Sequence, residues 1–434
     1  MLSGITTMSG TAFWLLAGAN FAVALGYGAI LPLLPTMLRA FAGVGTPASV
    51  AWHTGGLLGT YMLGLFVTAP VWGALSDRIG GRRLFLFGLS GYAVALVAFA
   101  AADSLASAYG WRVLAGVAGG AVLPVVNASI GAVADHRTRA RLFAGASMAT
   151  LVGLLAGPAL SGIVYGAMQR MGDVREMTPA VIGLPLAGAA TIALCVAAGF
   201  VWGRVGTHAT VALGASPAPR APRIVWRQAW PALSASFLLL LGLGAFEAML
   251  PVFGQSALSL DPPALGLLLA LCMLVMLAVQ SGLFLAPILH RAAHARFIAA
   301  GFLVVSGGVA WLAEANSFAG AAVGVGLIGA GGAFLQPAIA YLATLNEGGA
   351  SGTLLGALTG AGSLGQALGS VVGGGLFATF EANGLWVVAA GLAAGAAWIG
   401  APGLRRRPRM AWSSAEGGDV RPRVTLGKNT EEDK

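Results

Sequence analysis

Twelve stretches of this chain contain no Asp, Glu, Lys or Arg: residues 1–38, 40–76, 84–102, 113–134, 142–169, 177–203, 228–246, 262–290, 297–313, 315–346, 348–380 and 382–404. Their apolar residues run on without the alternation of a barrel strand. A helix needs about 20 such residues to cross a hydrocarbon core of roughly 30 Å, so the pattern predicts twelve transmembrane helices. The seventh stretch meets Glu247 and then resumes through Met249-Leu250-Pro251-Val252-Phe253, which makes it long enough to span. Between the sixth and seventh lies the longest polar interruption, residues 204–230, with Gly206, Gly214, Pro217, Pro219 and Pro222. It predicts a linker dividing the chain into two six-helix halves, 1–203 and 231–404. The tail, 405–434, starts basic, ends Glu431-Glu432-Asp433-Lys434 and has no apolar periodicity, so disorder is expected there.

Composition agrees with lipid as the main solvent. Of 434 residues, 57% are hydrophobic and 9% charged, against about a quarter charged in soluble domains. The net charge of +9 matters through its placement, since all but four of the 24 Lys and Arg residues fall in alternate loops, the linker and the tail. Those loops hold Arg78, Arg82 and Arg83; Arg137, Arg139 and Arg141; and Arg291 and Arg296. The four exceptions are Arg39, Arg170 and Arg175 on the opposite side, and Arg112 near or within the fourth stretch. By the positive-inside rule both chain ends and the linker are cytoplasmic. The basic clusters then read as topology signals beside anionic lipid rather than a nucleic-acid surface. The first ten residues lack Lys and Arg, and the first apolar run is long and contains Pro32 and Pro35, unlike a cleavable signal, so the first helix is expected to be retained. Cys195 and Cys272 show no metal-ligand spacing and read as packing residues. Trp52, Trp111, Trp226 and Trp230 fall near predicted helix ends, as interfacial anchors do.

Sixty-six glycines fit membrane helices, where small residues allow close approach. Gly365, Gly369 and Gly373 repeat every four residues in the eleventh helix, and Gly362 extends the groove by a turn beside Gln366. Gly324, Gly326, Gly329, Gly331 and Gly332 crowd the tenth.

Four ordered motifs carry a family resemblance. Gly73-Ala-Leu75-Ser-Asp77-Arg78-Ile-Gly80-Gly81-Arg82-Arg83, between the second and third helices, resembles the major facilitator signature G-x-L-x-D-R-x-G-R-R, with Gly81 where a basic residue is usual. A carboxylate at a helix end can cap the positive N-terminus of another helix, and Arg clusters can pair with it. The resemblance implies a cytoplasmic latch made by Gly73, Asp77, Arg78, Gly80, Arg82 and Arg83. In the fifth helix Gly153-Leu-Leu-Ala-Gly157-Pro158-Ala-Leu-Ser161-Gly162 looks like the drug/proton antiporter pattern G-x-x-x-G-P-x-x-G-G, with Ser161 replacing a glycine. Its proline kinks the helix while Gly153, Gly157 and Gly162 permit close packing; the resemblance implies an exporter. Leu25-Gly26-Tyr27-Gly28-Ala-Ile-Leu-Pro32-Leu-Leu-Pro35 is similar to another pattern of these antiporters. Arg112-Val-Leu-Ala-Gly116-Val-Ala-Gly119-Gly120 resembles the R-x-x-x-G element, whose Arg the family ties to proton coupling. A weaker echo of the loop signature, His290-Arg291-Ala-Ala-His294-Ala-Arg296, lacks the Asp. The implied fold is all-α, with twelve transmembrane helices in two halves, in a bacterial-type cytoplasmic membrane.

Ionisable groups inside a membrane are costly, so each marks a functional hypothesis. Arg112 and Glu247 are the two. A helix starting near Pro231 places Glu247 about 24 Å along it, at roughly 1.5 Å per residue. From there its carboxyl can take a proton from one side and release it to the other, in competition with substrate, with Arg112 tuning the local charge. Asn20 stands in the first helix, where many such antiporters carry an acid. The remaining polar candidates for a substrate cavity between the halves are Asn20, Tyr27, Asn127, Gln255, Gln280, Gln336 and Gln366. Met273 and Met276 offer an adaptable apolar wall. The expectation is proton-coupled export of a hydrophobic or amphiphilic small molecule by a monomer without cofactor, with a metabolite carrier on the same fold as the rival. A scaffold or receptor without transport is the reading from a different class. No grouped nucleophile, base and acid, phosphate loop or metal cluster points to an enzyme.

Overall fold

The computed structural model describes residues 9–41, 43–131, 133, 135–171, 178–202, 226–285, 295–346 and 352–400. In chain order they form α1 (Gly10–Ile30), α2 (Leu34–Arg39), α3 (Pro47–Ile79), α4 (Gly81–Ala100), α5 (Leu105–Gly131), α6 (His136–Met171) and α7 (Thr178–Trp202). After the linker come α8 (Trp226–Ser256), α9 (Pro262–Leu285), α10 (Ala295–Ala313), α11 (Phe318–Asn346), α12 (Gly352–Phe380) and α13 (Gly384–Gly400). One 3₁₀ turn, Glu381–Asn383, joins the last two. All described regular structure is helical. Eleven stretches have the length and apolarity of a membrane span, and the last of these, Gly356–Gly400, runs through both α12 and α13. Each charge-poor stretch of the sequence thus coincides with one long helix. α8 begins at Trp226, inside the segment assigned to the linker, and carries Pro231 in its second turn. The rest of the linker, the tail, and the echo motif from His290 to His294 lie outside the described residues.

Short polar caps mark where several helices start. Asp135 Oδ2 accepts from the Thr138 amide at 2.8 Å, and Asp261 Oδ1 from the Ala264 amide at 3.0 Å. Ser9 and Ser317 do the same for α1 and α11, each satisfying an amide that the helix itself leaves free. Beyond the caps the outer faces are apolar: Trp14, Val67, Phe87, Ile163, Leu267, Leu303 and Val387 are all exposed. Exposure of that kind along helices this long is what a lipid-facing surface requires. Cys195 lies on such a face of α7, whereas Cys272 is buried; of the two expected packing cysteines, only Cys272 packs within the protein.

Because consecutive long helices alternate in direction, one end of the bundle holds the start of α1. The other, distal end holds, among the described residues, the turns α1–α3, α4–α5, α8–α9, α10–α11 and α12–α13. Helices α1 and α3–α7 pack among themselves, as do α8–α13, and the two groups meet mainly where α12 crosses α3 and α9 crosses α6. Both crossings tighten at the distal end. A Cβ built at Gly374 of α12 would lie 2.5 Å from Ala51 O of α3, and one at Gly59 would lie 2.9 Å from Ala367 O. Likewise a Cβ at Gly266 of α9 would lie 2.5 Å from Pro158 O of α6. Bare backbones therefore close this end, because lipid supplies little drive for association and close contact must.

Candidate functional site

The Gly362–Gly373 groove faces α8. A Cβ at Gly373 would lie 2.6 Å from Ala245 Cα, and Gly365 and Gly369 abut the carbonyls of Phe237 and Leu241. On the other side of the contact Gly244 abuts Gln366 O. This backbone-to-backbone register brings Gln366 opposite Glu247, which stands about one turn beyond Gly244 in α8. Gln366 Nε2 donates to Glu247 Oε2 at 2.9 Å.

The second bond to that carboxylate crosses between the halves. Tyr27 of α1 donates its hydroxyl to the same Glu247 Oε2 at 2.7 Å. Neighbouring glycines explain how Tyr27 comes to point there. A Cβ at Gly26 would sit 2.6 Å from the hydroxyl of Tyr92, which instead donates to Val23 O at 2.8 Å. A Cβ at Gly28 would sit 3.0 Å from Pro158 Cδ. With α4 and α6 packed against those two positions, the intervening side chain turns to the remaining face, toward α8.

Tyr27 also stacks on Tyr61 of α3, with centroids 5.3 Å apart. Beyond this pair lies Arg112, 1% exposed. Its guanidinium sits 4.6 Å from the Tyr61 ring centroid, 5.8 Å from that of Tyr27 and 5.6 Å from that of Phe99. Nε donates to Leu57 O at 3.2 Å, while Nη2 has no hydrogen-bond partner. Cation–π contact offsets part of the cost of burying that charge. Gly116, one turn beyond Arg112, abuts Tyr61 O, so the R-x-x-x-G spacing lets α5 close on α3 at the level where the guanidinium is held. Arg112 and Glu247 do not touch; the Tyr27 ring stands between them.

The fifth-helix motif lies between α1 and α9. Gly157 meets α1, where a Cβ would lie 2.6 Å from Ala29 N, and Gly153 does so one turn earlier, 2.5 Å from Phe21 O. Gly162 faces Pro263 of α9, its Cβ position 3.2 Å from Pro263 Cα. Pro158 lies inside α6 and deprives Leu154 O of its helical partner. Ser161, where the pattern expects glycine, donates to Ala29 O at 2.6 Å, tying the kinked helix to α1. Replacing Ser161 by Ala should cost about 0.6 kcal/mol, the average for interhelical bonds in membranes. Reversible unfolding in detergent measures it, and a loss above about 2 kcal/mol would show that the kink itself depends on the hydroxyl.

Not every expected residue joins this cluster. Gln255 sits at the distal end of α8, accepting from Arg39 Nη1 at 2.6 Å. Asn127 and Gln336 are exposed and Gln280 half-buried; Asn127 lies about 22 Å farther along α5 than Arg112, at roughly 1.5 Å per residue. Asn20 is buried on α1 with Oδ1 unpartnered. Met273 and Met276 are buried. In the loop motif Gly80 has φ +86°, a conformation that favours glycine. Arg82 reaches the last carbonyls of α7, Phe200 O at 3.4 Å and Val201 O at 3.3 Å, where a cation complements the helix dipole. That contact stays within the first half. Arg83 is exposed, α3 continues through Gly73, and the side chains of Asp77 and Arg78 lie outside the described residues. No motif marks Tyr61 and Tyr92 in the sequence, yet half of the six tyrosines, Tyr27 among them, converge here.

The Major Facilitator Superfamily profile matches residues 16–346. Over 141 residues the chain is 38% identical to the class C tetracycline resistance protein of Escherichia coli, covering 32% of this chain and 35% of that protein. It is 25% identical over 161 residues to multidrug resistance protein 2 of Bacillus subtilis, covering 37% and 39%. The chain thus aligns with little more than a third of the length of these curated relatives. Among solved structures, the human organic anion transporter MFSD10 (TETRAN) superposes with a TM-score of 0.63 at 19% identity, over 90% of this chain and 99% of the other. A peptide transporter, POT, superposes with a TM-score of 0.70 at 15% identity, over 91% and 94%. These two likenesses establish the fold.

Proposed function

Because this chain belongs to the Major Facilitator Superfamily, we propose that it is a secondary transporter working by alternating access, exporting a hydrophobic or amphiphilic small molecule in exchange for protons. The observation that carries the reading is the carboxylate of Glu247, held by a tyrosine of the first half and a glutamine of the second. An ionised carboxylate accepts such bonds strongly, and protonation replaces a charge-assisted pair with weaker neutral ones. A proton arriving at Glu247 therefore loosens the tie between α1 and α8, which links proton occupancy to the arrangement of the halves. Substrate entering the space between the halves competes with the proton there, and Arg112 tunes the field through the Tyr27 ring.

The arginine-rich loops support cytoplasmic termini, so the closed distal end faces outward. Asp77 and Arg78 then belong to the latch that closes the opposite side. The bacterial relatives support placement in a cytoplasmic membrane, where the chain works as a monomer. Export direction follows from the motif around Pro158 and from relatives named for tetracycline and multidrug resistance.

The test is flux in proteoliposomes holding the full chain, under an imposed proton gradient, with tetracycline and ethidium as separate probes. Uptake of at least one into the acidic lumen, abolished by a protonophore, is expected. Transport insensitive to the protonophore would overturn the proton assignment, and absence of flux for a broad panel would favour a specific carrier or a scaffold.

A further inference from the structure

We propose that α2 is the distal lid of the transport path, and that Arg39, Thr36 and Gln255 are positioning residues that set how readily the lid opens. The inference stands on contacts away from Glu247. α2 rides on the first half: Leu34, Pro35, Met37 and Leu38 are buried, and Leu34 and Met37 border the same apolar space as Phe99 of α4 and Ile182 and Leu186 of α7. From this anchored turn two polar side chains reach the second half. Arg39 Nη1 donates to Gln255 Oε1 at 2.6 Å, and Gln255 Nε2 turns back to Thr36 Oγ1 at 3.4 Å. The amide of Gln255 uses both its acceptor and its donor on one short helix, so its orientation is set from both sides.

Three layers hold the distal end shut, and they differ in kind. The α3–α12 and α6–α9 crossings are close backbone packing at Gly55, Gly59 and Gly374 and at Gly162 and Gly266. The α2–α8 tie is polar and exposed to water, so its strength is adjustable by a single side chain without repacking the core. Arg39 is, moreover, one of few cations on a side otherwise nearly devoid of them. A topology signal is not needed there, and the guanidinium has a defined partner across the mouth.

Opening is read with a cysteine at Ser370 of α12, which is fully buried where its backbone carbonyl abuts Gly55 of α3 and whose hydroxyl donates to Gln366 O at 2.9 Å. Ser370→Cys is placed in the full chain with Cys195 and Cys272 changed to Ser, and its reaction rate with a maleimide is measured in detergent, where the reagent reaches both sides. Loss of a charge-assisted bond at an exposed site shifts an equilibrium by about fivefold. Gln255→Leu should therefore raise the labelling rate about fivefold. Gln255→Glu, which pairs a carboxylate with Arg39, should lower it about threefold. The exchange Arg39→Gln with Gln255→Arg keeps donor and acceptor across the gap and should return the rate to within about twofold of the parent. Equal rates for Gln255→Leu and Gln255→Glu would overturn the lid. So would single changes that raise the rate with no restoration by the exchange, since that would assign these residues to folding alone. None of these readouts involves protons or a transported substrate, so failure here leaves the proton-exchange reading standing, and the reverse holds too.

Discussion

Glu247→Gln is expected to reduce gradient-driven transport to the level of protein-free liposomes while leaving substrate binding within about threefold of the parent, a change near 0.6 kcal/mol. The amide keeps the size and hydrogen-bonding reach of the carboxyl, so the bonds from Tyr27 and Gln366 have an acceptor still. What it removes is the site where a proton binds and leaves. A change that spares geometry and abolishes proton exchange separates coupling from architecture, because exchange of labelled substrate across the membrane without a gradient should persist. Binding is measured by equilibrium dialysis in detergent and transport by uptake into vesicles with an acidic lumen. Full retention of gradient-driven uptake would place Glu247 among structural hydrogen bonds and send the search for the proton site elsewhere.

The second large effect is steric. Gly369→Val should destabilise the protein by about 3 kcal/mol, the upper end of overpacking costs, and abolish transport with it. The added side chain meets the backbone carbonyl of Leu241, which cannot swing aside as a side-chain end does, so α12 must move away from α8. That shift pulls Gln366 from Glu247, and the loss of function follows from the loss of register. Gly326→Val on α11 is the matched control, since a Cβ there meets nothing within 4 Å; its cost should stay within about 0.5 kcal/mol. Thermal denaturation in detergent followed by size-exclusion recovery distinguishes the two. Equal losses at both positions would mean that valine itself, rather than the α8–α12 contact, is responsible.

Much of this architecture is legible in the linear pattern, for different reasons at different places. The helices were, because a run of apolar residues has few places to go other than lipid. The groove at Gly362–Gly373 was, since a four-residue repeat of glycines stays on one helix face. Glu247 and Arg112 stood out through rarity, as the cost of charge in lipid makes each one conspicuous. The place of Gln255 is not legible locally: a glutamine eight residues beyond Glu247 looks the same whether it lines a cavity or ends at a mouth, and its partner Arg39 lies 216 residues away in the chain. Arg82, expected in a latch, caps α7 within its own half, a contact fixed by where α7 happens to end. Nothing local marks Tyr61, because an aromatic residue in an apolar run carries no sign of its stacking partner.

From the order of residues alone come the helices, their hydrophobic exteriors, the side on which the arginines gather and the short menu of buried polar groups. Those properties depend on solvent and on neighbours a few positions away, which every sequence carries within itself. Folding in three dimensions decided which of the polar groups meet: that Tyr27 and Gln366 share one oxygen of Glu247, that a tyrosine ring separates Arg112 from the carboxylate, and that Arg39 of α2 reaches Gln255 of α8. Hydrogen bonds and ring contacts act over about 3–6 Å, and the packing of whole helices, closest where glycine backbones pass, brings residues hundreds of positions apart within that reach.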